Sequence, residues 1–307
     1  MMDRFQEMQI FLAVAEEEGF AAAARRLKIS PPSVTRAIAA MEQRIGTQLL
    51  ARTTRSLHLS EAGQRYLEDC RRILAELEEA EEAAAGSYSI PVGHLTVTAP
   101  ILFGELYVAP ALADYLDRFP LVNIHALLVD RVVNMTDEGV DVAVSIGHLL
   151  DASQQAIKVG EVRPVVCASP AYLDRHGRPE HPRDLADLKI LTSSASQLVS
   201  EWQFVDQGTK INQPIEPRLV VTANNAAISL ARQGWGVTRS LSYQVASHIA
   251  EGTLETILKE FEPPPLPIHV VFQKSARVPA KIHTFVDFLA NRLGQDAFLN
   301  PAMKRQR

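Results

Sequence analysis

Only two cysteines, Cys70 and Cys167, occur in the 307 residues. A disulfide framework is therefore not expected, and a reducing cytoplasm suits the chain. Cys167 falls in the run Pro164-Val165-Val166-Cys167-Ala168, which reads as a buried strand, and Cys70 falls on a helix seam. No apolar stretch approaches the length of a membrane span. The opening MMDRFQEMQIFLAVAEEEG has no cationic start followed by an unbroken apolar run, so no signal peptide is expected. Catalytic patterns are scarce too. Ser194, Ser196 and the nine histidines form no Gly-x-Ser-x-Gly elbow and no nucleophile–base pair at a diagnostic spacing. His176 and His181 flank GRPE in a turn-like stretch without a carboxylate–histidine motif, and no metal or other cofactor is expected. No glycine-rich phosphate loop is present. An enzyme is thereby disfavoured. With 47% apolar and 22% charged residues the chain can bury cores, and its length allows two or three domains.

Positive charge is concentrated in one place. The net charge is -5, yet Arg25–Arg55 carries seven Lys or Arg against one acid, Glu42. A basic segment in an acidic chain suggests a phosphate-facing surface. Val34, Ile38, Met41 and Ile45 recur at helical spacing and predict an inward face. Pro32, Ser33, Thr35, Arg36, Ala39 and Gln43 are left on the other face, small and polar enough to enter a major groove. Met8, Phe11, Leu12 and Ala15 mark a preceding helix ending near Gly19, and Phe20, Ala23, Ala24 and Leu27 a second one with alanines for close packing. After the turn Lys28-Ile29-Ser30, Ser30 can cap the third helix, where proline is tolerated in the first turn. Pro32 biases Pro31 away from the helical region, so the first helical residue stays open by one position. From Leu49 to Leu59 a small β-wing is predicted, with Leu57 and Leu59 inward and Arg52 and Arg55 free to reach phosphates.

The stretch Phe11–Gly63 strongly resembles the N-terminal domain of LysR-type transcriptional regulators. The matching pieces are the Ala-Ala-Arg-Arg-Leu helix, Ser30 with Val34-Thr35-Arg36, Met41-Glu42 before Ile45-Gly46, Arg52 with Arg55, and Leu59-Ser60-Glu61-Ala62-Gly63. The resemblance extends over essentially the whole chain. It implies that Ser33, Thr35 and Arg36 meet the groove, with Arg52, Thr53, Thr54 and Arg55 on the wing. Many family members carry Gln where Pro31 stands, so specificity here must come from other positions or from DNA shape.

From Ser60 to Gly86 the chain reads SEAGQRYLEDCRRILAELEEAEEAAAG, nearly all strong helix formers, with Ser60 suited to the N-cap and Gly86 to the end. Leu67, Cys70, Leu74 and Leu77 step like a coiled-coil seam, which Glu81 interrupts before Ala84. Such a helix spans roughly 40 Å and needs a partner. Packing on its own domain is one role. The favoured one is a homodimer that spaces two reading heads for an inverted repeat; the resemblance adds that two such dimers often join into a DNA-bending tetramer. GSYSIPVG, residues 86–93, reads as a hinge.

Beyond it strands and helices alternate. Strands are expected at His94–Ala99, Val122–Val129, Val140–Ile146, Val162–Ala168, near Gly236 and at Ile268–Gln273. Helices are expected at about Gly104–Phe119, Val132–Glu138, Asn224–Gln233 and Val278–Leu293. Such alternation implies parallel sheets, and the resemblance implies a two-lobed, periplasmic-binding-protein-like architecture. Ligands of open α/β sheets bind beyond the strand carboxyl ends. That places Pro100, Ile101, Phe103, Ser145, Ile146 and Gly147 from one lobe opposite Thr192, Ser193, Asn224, Asn225, Thr238 and Arg239 from the other. Free helix N-termini and Arg239 would suit a carboxylate, so an organic acid is the expected effector. Asn224 and Asn225 could equally cap their helix. Relatives with a similar strand often carry Arg where Ser145 stands.

The expectation is thus an α/β-class regulator: a winged helix-turn-helix at 1–59, a dimerisation helix and hinge at 60–90, an effector domain at 91–295 and a tail at 296–307. The first lobe takes about 91–161 and 268–293, the second about 162–267. Expected partners are double-stranded DNA, a small-molecule effector, further copies of the chain as dimer or tetramer, and RNA polymerase, with no membrane. The effector would close the cleft and shift the assembly's geometry on DNA. A cytoplasmic solute receptor or small-molecule enzyme using the two-lobed domain is the competing class, and a DNA-bending protein with a vestigial cleft a third.

Overall fold

The structure is a computed structural model describing residues 3–17, 19–52, 57–84, 91–147, 149, 154–194, 200–274 and 278–300. The chain divides into two compact units, Met1–Ser89 and Ile90–Arg307. In the first, helices α1 (Arg4–Glu16), α2 (Phe20–Leu27) and α3 (Pro31–Ile45) precede strands β1 (Leu50–Arg52) and β2 (Leu57–Leu59) and helix α4 (Glu61–Ala84). Their shared core gathers Ile10, Phe11, Val14, Ala23, Ala24, Val34, Ile38, Met41, Leu49 and Leu50. Ala23 and Ala24 of α2 are buried, as close helix packing requires. The inward face of α3 is Val34, Ala37, Ile38 and Met41; Ile45 is 37% exposed, because the last turn before left-handed Gly46 carries no packed face. The residues expected as the hinge fall partly outside the described residues, as does Gly86.

The second unit runs β3 (Gly93–Ala99), α5 (Ile101–Phe103), a π-turn (Gly104–Val108), α6 (Ala109–Arg118), β4 (Val122–Leu128), β5 (Val142–Ile146), β6 (Gln154–Val162), β7 (Pro164–Ala168), α7 (Pro170–His176) and β8 (Ile190–Ser193). It continues with β9 (Glu201–Asp206), β10 (Thr209–Pro214), β11 (Pro217–Val221), α8 (Asn224–Arg232), β12 (Val237–Leu241), α9 (Ser242–Ala250), β13 (Glu255–Ile257), β14 (Leu266–Gln273) and α10 (Ala280–Gly294). Two five-stranded sheets result, ordered β4-β3-β5-β14-β6 and β11-β8-β12-β7-β13. Both are mixed rather than parallel: β14 runs antiparallel to β5 and β6, and β7 antiparallel to β12 and β13. Return of β14 to the first sheet makes that lobe discontinuous, with crossings at Arg163 and at residues 262–265.

In the first lobe, α6 and α10 pack on the sheet through Tyr115, Phe285 and Leu289, and the Tyr115 hydroxyl lies 2.8 Å from that of Thr284. In the second, β7 alternates: Val166 and Ala168 join Trp202, Phe204 and Val237, whereas Val165 and Cys167 join Leu191, Ile228 and Val245 on the opposite face.

Two expectations need correction. Val132–Glu138 is a run of turns, not a helix; the Asn134 side chain accepts the amides of Thr136 and Asp137, a local bond that competes with helix formation. The supposed tail is part of the first lobe as far as Asn300. Leu299 is fully buried, its carbonyl accepts the Glu161 amide, and the Asn300 side chain donates to the carbonyls of Val159 and Leu293. Residues 301–307 lie outside the described residues.

Candidate functional site

In the first unit the turn between α2 and α3 is made by Lys28 at φ 55, whose amide returns to the carbonyls of Ala24 and Arg25. Ser30 then caps α3: its hydroxyl accepts the Ser33 amide at 3.3 Å. Pro31 is already helical, so the bias imposed by Pro32 is overridden where the cap fixes the first turn. Pro32, Thr35, Arg36, Ala39 and Gln43 are exposed together on one face, with Ser33 half-buried beside them. The hydroxyls of Ser30 and Ser33 meet at 2.8 Å, Thr35 donates to the Pro31 carbonyl, and Arg36 Nε donates to the Pro32 carbonyl. Thus these side chains, the Arg36 guanidinium included, lie back against the first turn of α3, and Arg36 stays exposed.

The electrostatics are leaner than the sequence run suggests. Arg26 pairs with Glu16 and Glu17, and Arg44 pairs at 2.7 Å with the buried Glu7, all acids lying outside the basic stretch. Arg25, Lys28 and Arg36 carry no ion pair among the described residues and remain exposed. Glu42 is structural: one carboxylate oxygen accepts the amides of Leu49 and Leu50 at 2.8 and 3.1 Å and sets the entry to β1. In the wing Arg52 stands opposite Leu57. Its side chain, and all of Thr53, Thr54 and Arg55, lie outside the described residues.

Ser60 anchors the start of α4, donating to the Gln48 carbonyl at 2.7 Å and accepting the Gly63 amide at 2.9 Å. The expected seam is largely consumed within the domain. Leu67 and Cys70 belong to the core of the first unit and Leu74 is buried as well, since these positions face inward. Leu77 of that seam is half-buried, as is Ile73, a residue the sequence pattern passed over. The side chains of Glu81 and Ala84 lie outside the described residues. Burial pushes the Cys70 thiol up to about 11 and the Cys167 thiol up to about 12.

A cavity of about 810 Å³ opens between the two lobes of the second unit. Of the twelve residues expected there, Pro100, Ser145, Ile146 and Asn224 line it. The rest do not. Phe103 is fully buried against Tyr107 and Tyr243, the Ile101 side chain is partly exposed, and Gly147 turns away to donate to the Pro267 carbonyl. Thr192 and Thr238 are buried in the second lobe, Ser193 is half-buried and Asn225 is exposed. Arg239 shares its face of β12 with Val237, and its guanidinium lies 5.6 Å from the centre of the Phe204 ring, where burial lowers its pKa to about 10. Asn224 is no cap either; Ala223 holds that position without a side-chain bond.

The sequence pattern missed Asp130, Arg131, Glu138, Tyr243 and Gln244, all of which line the cavity. Asp130 accepts the Ile101 amide at 3.0 Å and the Asn224 side-chain amide at 3.3 Å, bridging the lobes. Arg131 and Glu138 pair through both oxygens at 2.7 and 2.5 Å. Both expected supports for a carboxylate ligand differ from the expectation: Asp130 takes up the Ile101 amide and the Asn224 side-chain amide, and Arg239 lies against the Phe204 ring. Among the described residues no group of three or more His, Cys, Asp or Glu could hold a metal, and no helix is long and apolar enough to cross a membrane.

Residues 5–64 match the family described as bacterial regulatory helix-turn-helix protein, lysR family, and residues 90–294 match the LysR substrate binding domain. An HTH-type transcriptional regulator of Xanthomonas campestris pv. campestris is 32% identical over 94% of this chain and 85% of its own length. The transcriptional regulator CrgA of Neisseria meningitidis serogroup B is 30% identical over 96% and 99%. The solved structure of CrgA from Neisseria meningitidis superposes with a TM-score of 0.61 at 28% identity, covering 96% of this chain and all of that one. These relatives are regulators, not enzymes. The chain belongs to the LysR family of helix-turn-helix transcriptional regulators.

Proposed function

We propose that the protein reads an interrupted inverted-repeat operator as a dimer or tetramer, with α3 in the major groove, and that a small molecule in the interlobe cavity switches it. The observation that carries the DNA-binding part is the face of α3. It is exposed, capped by Ser30, lined by Ser33, Thr35 and Arg36, and flanked by Arg25 and Lys28, which carry no ion pair among the described residues. A helix of that profile fits a groove and its phosphates. Arg36 is the base-reading residue in this proposal, with Ser30, Pro32, Ser33 and Thr35 fixing its approach. Arg52, Thr53, Thr54 and Arg55 contact backbone from the wing.

The domain scheme follows: a reading head at 1–59, a linker helix at 60–90 and an effector domain from 91 onward, cytoplasmic, with RNA polymerase as the downstream partner. An effector that prefers one lobe arrangement shifts the assembly by no more than its difference in affinity between arrangements.

Footprinting on the operator, followed by affinity measurements, tests this. Arg36→Ala weakens operator binding by about 1–3 kcal/mol if Arg36 reads a base. Equal weakening on operator and random duplex would reduce it to a phosphate contact. Neutralising Arg52 or Arg55 lowers the salt dependence of binding rather than the choice of sequence.

A further inference from the structure

We infer that the interlobe cavity is built for a ligand with a cationic amine head, for which Asp130 is the counter-ion, and not for a carboxylate. This rests on the proposal that the cavity is the effector site. Three charged residues line the space, Asp130, Arg131 and Glu138. Arg131 is matched by Glu138, which also accepts the Asn134 amide at 3.3 Å. Asp130 is then the one lining charge with no cation beside it among the described residues, and the cavity carries an excess of one negative charge.

Its position matters as much as its sign. The Ile101 amide opens the helical segment that runs on through the π-turn into α6, and Asn224 opens α8 on the other lobe. Donors from both are spent on the two oxygens of Asp130. A carboxylate entering the cavity would meet Asp130 as a like charge and find those donors taken. An ammonium would meet an acceptor with lone pairs to spare, because each carboxylate oxygen accepts more than one bond. Ser145 lies on the same lining, and Val133, Met135, Leu149 and Leu266 supply an apolar wall for the body of the ligand. Because Asp130 already joins the lobes, a bound amine reinforces or replaces the Asn224 contact and so biases the cleft directly.

Benzylamine and benzoate share a body and differ in head charge, which makes them a matched pair of probes for calorimetry and thermal shift on the full chain. The expected result is benzylamine binding at least about tenfold tighter than benzoate at neutral pH. Asp130→Asn keeps the shape, with its one oxygen left to accept the Ile101 amide and its new amide nitrogen able to donate to a flipped Asn224 carboxamide. It should weaken benzylamine by about tenfold or more and raise benzoate to parity or beyond. Ser145→Trp, which sets a bulky ring on the cavity lining, should obstruct binding of both. Benzoate binding as tightly as benzylamine to the unaltered protein, yet lost in Ser145→Trp, keeps the cavity as the site and overturns the charge assignment. Benzylamine binding that survives Ser145→Trp in a folded variant removes the cavity as the site. An unchanged preference in Asp130→Asn, or binding of neither probe at millimolar concentration, also overturns the inference.

Discussion

Gly63 shows how one atom decides whether the reading head holds together. A Cβ there would lie 2.0 Å from the Leu49 carbonyl oxygen, which is backbone and cannot swing aside. The same carbonyl accepts the Ser60 amide, so the chain entering β1 and the start of α4 meet main chain against main chain at this point. Gly63→Ala should therefore destabilise the first unit by about 1–3 kcal/mol, read by chemical denaturation, with wing and helix start moving apart. The cysteines make the opposite point, that reactive atoms can be silenced by position. Both are free and buried, with thiols raised to about 11 and about 12. Because each stays protonated well above neutral pH, a thiol-reactive disulfide at pH 8 should label neither in the native protein and both after denaturation. Rapid native labelling of one would show that its cover opens easily.

At the scale of elements, α4 divides its faces between two tasks. Leu67 and Cys70 are spent on the core of the reading head, so in the proposed dimer it is Ile73 and Leu77, half-buried and four residues apart, that are left to meet a second copy of the chain. Leu67→Ala should cost about 2–5 kcal/mol of stability in the reading head. Ile73→Ala with Leu77→Ala should leave that stability nearly intact and move the sedimentation equilibrium toward monomer. If the double variant sediments as the unaltered protein does, the contact between copies lies elsewhere. The reason Leu67, Cys70 and Leu74 read as part of a seam is physical: a stripe at helical spacing reports that a face is covered, not by what. Elements fixed by neighbours in sequence were legible. Ser30 before two prolines, Lys28 and Gly46 at helix ends, and the inward set of α3 all depend on residues within a few positions of one another. Strands β9, β10 and β11 were not. Strands β9 and β10 alternate only over short spans, Trp202 and Phe204 inward and Lys210 and Asn212 outward, which the sequence reading passed over, and β11 is paired with β8 across distant chain. The cavity was half legible for the same reason. Strand ends named Pro100, Ser145 and Ile146, but the Asp130–Asn224 contact joins residues 94 positions apart, and no local pattern announces it.

At the scale of the whole regulatory unit, the question is where two lobes can bend. The chain crosses between the sheets twice, once at Arg163 between β6 and β7, and once in Glu262-Pro263-Pro264-Pro265 before β14. Proline fixes its own φ, so the second crossing is stiff. The two crossings are also tied to each other, Arg163 reaching Glu262 at 2.5 Å. Backbone bonds hold the same point: the Arg163 amide donates to the Ser242 hydroxyl at 3.1 Å, and its carbonyl accepts the Ser242 amide at 2.8 Å. Glu262 is only 11% exposed, and its other oxygen is buried without a partner, so the carboxylate depends on Arg163. Removing the guanidinium strands a mostly buried charge, whereas neutralising the acid does not. Arg163→Ala should accordingly cost about 1–3 kcal/mol in unfolding of the regulatory unit, and Glu262→Gln distinctly less. In the double variant the penalty of Arg163→Ala should largely vanish, giving a coupling of about 1 kcal/mol or more in a double-mutant cycle. Hydrogen exchange at the Ser242 amide separates a loosened hinge from a merely weaker fold, because only the former speeds that amide ahead of the sheet cores. Additive penalties with unchanged exchange at Ser242 would show that the two crossings bend independently and that the pair is only a surface decoration.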